Sequence, residues 1–274
     1  NLYFGDPNSS DAGLFGSTNN ASISNLGLVA VDISAEENVG GLIGSGSADI
    51  SNCYVTGSVV GEENVGGLVG YFQGGSISDC HSTATVTAEF YNGGGLVGAF
   101  EDGEMVDSYA TGLVEGGEFL GGLAGYSQDS LVGSCHATGE VLGNYDFGSE
   151  YIGGLIGYVY LSDVANCYAT GDVSGDDQVG GLIGMSESSI EKCYATGDVS
   201  GENNVGGLVG DLSTEGDIYV YSSFSTGLVT GSGENVGGFL GFTYSDYSNC
   251  GWIVQDGLDA IGGTWAGEEL LGVA

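Results

Sequence analysis

The chain has almost no positive charge. Lys192 is its single basic residue against 37 carboxylates, which leaves a formal charge of −36 over 274 residues. That balance excludes the Lys and Arg clusters that neutralise phosphates or anionic headgroups, so nucleic acid and acidic membrane surfaces are not expected partners. Proline occurs once and charged residues make up only 14%, so the composition is not that of a disordered chain despite the large net charge. No apolar run approaches the ~18 residues needed to cross a bilayer, and direct membrane insertion is not expected. The chain opens at Asn1 without methionine, which reads as a soluble, processed chain with Asn1–Gly5 native to it.

Glycine, in contrast, is abundant, at 56 residues, and it recurs in one phrase, Val-Gly-Gly-Leu-Val-Gly with near variants. The Leu position of the phrase falls at Leu14, Leu42, Leu68, Leu96, Leu123, Leu155, Leu182, Leu208 and Phe239, at intervals of 26 to 32 residues. Nine contiguous copies of about 28 residues describe one array rather than a pair of globular domains. Residues 1–12 read as a lead-in, 13–250 as the array, and 251–274 as an irregular coil or a capping or assembly segment.

Between the glycine phrases lies a second one, Ser51-Asn52-Cys53-Tyr54-Val55-Thr56-Gly57-Ser58-Val59, echoed by Glu191-Lys192-Cys193-Tyr194-Ala195-Thr196-Gly197-Asp198-Val199. Small and β-branched residues alternate with period 2 and no 3.6-residue stripe appears, so strand and turn are predicted and helix is not. A unit of this size holds three short strands and three turns and cannot bury its apolar face alone, so it must stack on its neighbours. The expected fold is all-β, a right-handed parallel β-solenoid of about nine coils, rising ~4.8 Å per coil. Together the two phrases resemble the GLUG repeat of bacterial and archaeal cell-surface proteins, including adhesins and the non-catalytic regions of secreted immunoglobulin A metallopeptidases. The metallopeptidase chemistry does not carry over: neither His81 nor His136 stands in a His-Glu-x-x-His motif.

Stacking turns each repeat position into a column. All six cysteines, Cys53, Cys80, Cys135, Cys167, Cys193 and Cys250, share one, with Leu26, Ser108 and Ser223 completing it. Their spacing near 27 residues is not that of a metal site, and the alternation points them inward, as a thiol ladder or as disulfides between coils. One residue further on stand Tyr54, His81, Tyr109, His136, Tyr168, Tyr194 and Phe224, predicted to face outward as an apolar stripe for a second copy or a sugar ring. A Thr column from Thr56 to Thr226 shares that face, but protruding rings and carboxylates break the flat plane that ice binding needs. Acidic residues gather in the turn before each glycine phrase, Glu36-Glu37, Glu62-Glu63 and Asp176-Asp177 among them, where calcium is a weak candidate. The glycine phrases lack the Gly-Lys-Ser/Thr of a phosphate cradle and read as corners, with Gly supplying positive φ or close backbone approach. Two longer intervals mark loop insertions, Gly143–Gly148 and Ser213–Asp217.

No catalytic residue, cofactor site or metal site stands out, and the chain is expected not to be an enzyme. Solenoid enzymes that cleave uronates hold their substrate with cations, and one Lys cannot do so. The expected function is structural: an extracellular, self-assembling protein of the cell surface or envelope, in a filament, sheath or S-layer-like coat, with the chain as its own partner. The alternative is an adhesin stalk or binding module for a surface glycan or protein.

Overall fold

The computed structural model describes residues 3–5, 9–144, 148–212, 218–255 and 257–264. Residues 1–2 and 6–8, the insertion residues 145–147 and 213–217, residue 256 and the C-terminal segment from 265 lie outside the described residues. The rest is a parallel β-solenoid of about nine coils, with strands as its only regular elements.

One coil shows the pattern. Its strands are Asp177–Gly180, Ile183–Glu187, Ile190–Glu191, Tyr194–Ala195 and Val199–Gly201. Each pairs in parallel with its equivalent in the next coil: Val179 with Val205, Ile183 with Val209, Ile190 with Val220, Tyr194 with Phe224 and Val199 with Val229. The second and third segments belong to a 15-stranded sheet and the others to a 22-stranded sheet. The earlier coils keep the three strands expected, as in Val69–Ser78, His81–Ser82 and Thr85–Gly94, and this coil breaks the same three into five shorter segments. The parallel pairing continues past residue 250, through Gly251–Trp252 and Ile261–Thr264.

The corners carry left-handed backbone at positions that are not glycine. One precedes the glycine phrase, as at Asn38, Asn64, Asn92, Gln178, Asn204 and Asn235, and there the strand can run on through the bend, as Asp177–Gly180 does through Gln178. The other precedes the cysteine column, as at Asn52, Asp79, Asn166, Lys192 and Asn249, and lies between one strand and the next. Asn and Asp tolerate this conformation. The glycine phrases have the other duty foreseen for them. A Cβ on Gly180 would lie 1.9 Å from the Ile183 carbonyl oxygen and 2.7 Å from the Gly210 nitrogen, and one on Gly184 would lie 2.5 Å from the Ile152 nitrogen. Only glycine lets the two strands flanking the turn, and the coils above and below, meet at backbone contact.

The core is a set of columns. Leu42, Leu68, Leu96, Leu123, Leu155, Leu182 and Leu208 are all buried, and successive residues are tied by Leu N–H to carbonyl bonds such as Leu182 to Leu208 at 2.8 Å. Introducing a charge into that column leaves it without a partner at its own level and disturbs both neighbours. Leu182→Asp is expected to lower stability by about 3–5 kcal/mol and Leu182→Met by less than about 1.5 kcal/mol. Thermal melting followed by circular dichroism checks this ordering.

Candidate functional site

The outward aromatic column is the most ordered feature of the surface. Its seven rings form one unbroken stack, Tyr54–His81–Tyr109–His136–Tyr168–Tyr194–Phe224, with centroids 4.6 to 5.2 Å apart and planes within 9° of parallel. Short strands set this pitch: His81, Tyr109, His136, Tyr168 and Tyr194 are each the first residue of a two-residue strand held in register above and below. The centroid spacing exceeds the ~3.5–4 Å contact thickness of a ring, so the rings stack offset, which suits their quadrupoles. Glycine ends the column at both sides. Gly27 lies beneath the Tyr54 ring, where a Cβ would come within 2.3 Å of it, and Gly251 stands above Phe224.

The stack changes what the stripe offers. Within the column each ring face is covered by its neighbour, so the exposed part is a line of ring edges, phenol oxygens and imidazole nitrogens included. A sugar needs a free face, and the interior of the column offers little of one. Burial lowers both His81 and His136 below the ordinary histidine value. At pH 7 both therefore favour the neutral form.

Immediately inside lies the cysteine column. All six cysteines are free thiols, five of them buried and Cys250 half-buried, so no disulfide joins the coils. They form a hydrogen-bonded staircase. Backbone N–H groups of Cys53, Cys135 and Cys167 donate to the Sγ of Cys80, Cys167 and Cys193 in the following coil, each at 3.4 Å. Each thiol in turn donates to the carbonyl two residues earlier, at 3.2 or 3.3 Å. Ser108 and Ser223 do the same with oxygen, accepting from the N–H groups of Cys80 and Cys193 at 3.1 Å. Burial pushes the Cys80 thiol up to about 12. Hydrogen bonding to Cys167 together with burial raises Cys135 and Cys193 as well.

Two features escaped the sequence reading. The first is an amide ladder on the corner before the glycine phrase, in which Asn38 donates to Asp11, Asn64 to Asn38, Asn92 to Asn64 and Asn235 to Asn204, at 2.7 to 2.9 Å. The recurring Asn before Val-Gly-Gly was its visible sign. The second is an aromatic cluster where that ladder is interrupted: Phe119 and Tyr151 occupy the same corner with left-handed backbone and stack at 4.8 Å, with Tyr158 tilted against both. The predicted Thr column is on the outer surface, and beside it the Asp172 and Asp198 carboxylates accept the N–H groups of Asp198 and Leu228.

The acidic turns repel as expected. Glu62 is raised by partial desolvation and then by Glu36, Glu89, Glu63 and Glu37; Glu118 is raised by burial and by Glu150. Beside Glu62, Glu89 and Glu115 a groove of about 560 Å³ opens, also lined by Ser34, Thr87 and Asn144. Among the described residues no group of three or more His, Cys, Asp or Glu side chains is arranged to hold a metal ion. No helix there is long and apolar enough to cross a membrane.

Two outcomes follow from this geometry. Cys167→Ser is expected to be nearly silent, because serine already serves in the staircase. Cys167→Val, apolar and similar in size, leaves the Cys135 N–H without its acceptor and is expected to cost about 1–3 kcal/mol, read by chemical denaturation. At the acidic turn, a carboxylate raised in the folded chain binds its proton more tightly there than when unfolded, so its repulsion is relieved as pH falls through the raised value and fully below 4.5. Glu62→Gln mimics that protonated state. In low salt it is expected to melt above the parent protein at pH 7, with the difference vanishing below pH 4.5 and shrinking in high salt.

Comparison with curated proteins and with solved structures gives no match. Four stretches, residues 35–60, 61–87, 148–174 and 175–200, match the family model of the GLUG motif. Each match spans one coil from its acidic corner through its glycine phrase and cysteine column to the following strand, so the motif is one turn of this solenoid, and the chain carries repeats of the GLUG motif.

Proposed function

We propose that the protein is a structural element of the cell surface or envelope that assembles with copies of itself into a filament, sheath or coat. The observation that carries this reading is the outward column: seven rings stacked in register from Tyr54 to Phe224 make an apolar strip on a chain of net charge −36, a lateral surface against which the same strip of a second copy can pack.

A binding module is the second reading, favoured by the groove beside Glu62, Glu89 and Glu115, whose carboxylates and hydroxyls suit a cationic or polyhydroxylated ligand. Charge separates the two readings. At −36, copies repel over a Debye length of about 30 Å in 0.01 M salt but only about 8 Å at 0.15 M. Assembly is therefore expected to grow as monovalent salt or calcium rises, in light scattering and sedimentation. A monodisperse 27.5 kDa species at every ionic strength, with and without calcium, overturns the structural reading and leaves the binding module.

A further inference from the structure

A surface coat gains durability from covalent links, and this chain restricts which residues can supply them. Lysine chemistry is nearly absent, since Lys192 is alone and paired with Glu191. Five of the six thiols are buried and hydrogen-bonded within their own chain. Tyrosine, at 16 residues, remains. Four tyrosines of the column, Tyr54, Tyr109, Tyr168 and Tyr194, stand in line on one outer face.

We propose that this column is an oxidative modification site, at which a one-electron oxidant converts its tyrosines to phenoxyl radicals that couple into carbon–carbon bonds between copies. Three observations converge. Stacking at 4.6 to 4.9 Å from Tyr109 to Phe224, with planes within 9°, lets a ring that has lost an electron be stabilised by the π faces on either side, as a cation is. The −36 field favours loss of an electron and draws in a cationic oxidant. The stack covers faces and leaves edges outward, and the edge carries the carbon ortho to the phenol oxygen, where such radicals join.

The chemistry balances with two electrons and two protons. Each of two tyrosines gives one electron to the oxidant and its phenolic proton to water. The two ortho carbons then form one bond, and the hydrogen displaced from each carbon moves to its own ring oxygen, which restores both phenols. Exposure alone makes a different forecast. Among the described residues, Tyr91, Tyr219, Tyr221 and Tyr244 are the tyrosines outside the column that are exposed by 41 to 51%, more than any in it. Tyr71 and Tyr158 have a built-in proton acceptor, with their hydroxyls hydrogen-bonded to Glu101 and Glu187.

The interchain bond rests on the self-assembly proposed above. The test illuminates the full chain with tris(bipyridine)ruthenium(II) and persulfate, in salt that supports assembly and in dilute buffer. Covalent dimers are read on denaturing gels, with light scattering on the same samples. Because trypsin has one lysine to cut at, crosslinked peptides are mapped after Glu-specific cleavage. The expected result is dimers in high salt whose links contain Tyr54, Tyr109, Tyr168 or Tyr194. Replacing those four by Phe keeps seven stacked rings and is expected to lower the dimer yield about tenfold. Replacing Tyr91, Tyr219, Tyr221 and Tyr244 by Phe is expected to change it by less than about twofold. Links mapping to those four, or to Tyr71 or Tyr158, overturn the proposal, as does polymer by scattering without covalent dimers; both leave the assembly reading standing. Absence of both polymer and dimers removes the two together.

Discussion

Parallel pairing in register, one strand spacing per coil, is the constraint on which the rest of the molecule depends. It places each residue beside its own counterpart above and below, so a side chain is retained where it is compatible with copies of itself at ~4.8 Å. Aromatic rings meet this test by offset stacking, with centroids 4.6 to 5.2 Å apart. Asparagines meet it because an amide both donates and accepts, which gives ladders at 2.7 to 2.9 Å. Thiols and hydroxyls meet it by accepting one backbone N–H and donating to one carbonyl. Carboxylates meet it where each accepts a backbone N–H of the next coil, as Asp172 and Asp198 do; elsewhere they repel, and the raised Glu62 and Glu118 show where that conflict lies.

This same rule explains what could be read in the sequence. The solenoid, the Leu column, the inward cysteines and the outward rings were legible because each repeats at one position and needs no knowledge of rotamers. Corner conformation was not: period 2 continues through a left-handed Asn or Asp, so the alternation did not show that the later coils break their three strands into five segments. Ring orientation was equally hidden. Composition says that Tyr168 and Tyr194 are neighbours, but a 3° angle between their planes, with faces covered and edges exposed, follows from rotamers that the strand imposes. The Phe119–Tyr151 stack was missed because no sequence rule places two aromatic residues in left-handed backbone, a conformation that costs about 1–2 kcal/mol each and that stacking offsets in part.

The inner and outer columns are mechanically one device. Cys53 precedes Tyr54, Ser108 precedes Tyr109, and Ser223 precedes Phe224, so the residue that anchors the backbone is covalently next to the ring it positions. Its anchoring bonds run to the coil on either side, which ties the level of each ring to its neighbours. Serine at Ser108 and Ser223 preserves those bonds, and the ring stack passes both levels without a break. The order of the outer face therefore depends on polar groups beneath it, most of them buried.

Charge sets the remaining condition. Within one chain, repulsion along the acidic file is held in check by covalent continuity and by backbone hydrogen bonds at every level. Between chains neither restraint exists, and the net charge of −36 opposes contact until ions screen it. The proposed assembly, held by noncovalent contact alone, would loosen whenever the surroundings became dilute. A bond between carbons has no dependence on ionic strength, and a column of aromatic rings on an otherwise acidic surface would be the place for copies to approach closely enough to form one. On that proposal the scarcity of lysine, the burial of the thiols and the stacking of the tyrosines bear on the same problem, which is how a highly charged chain would hold to its own kind.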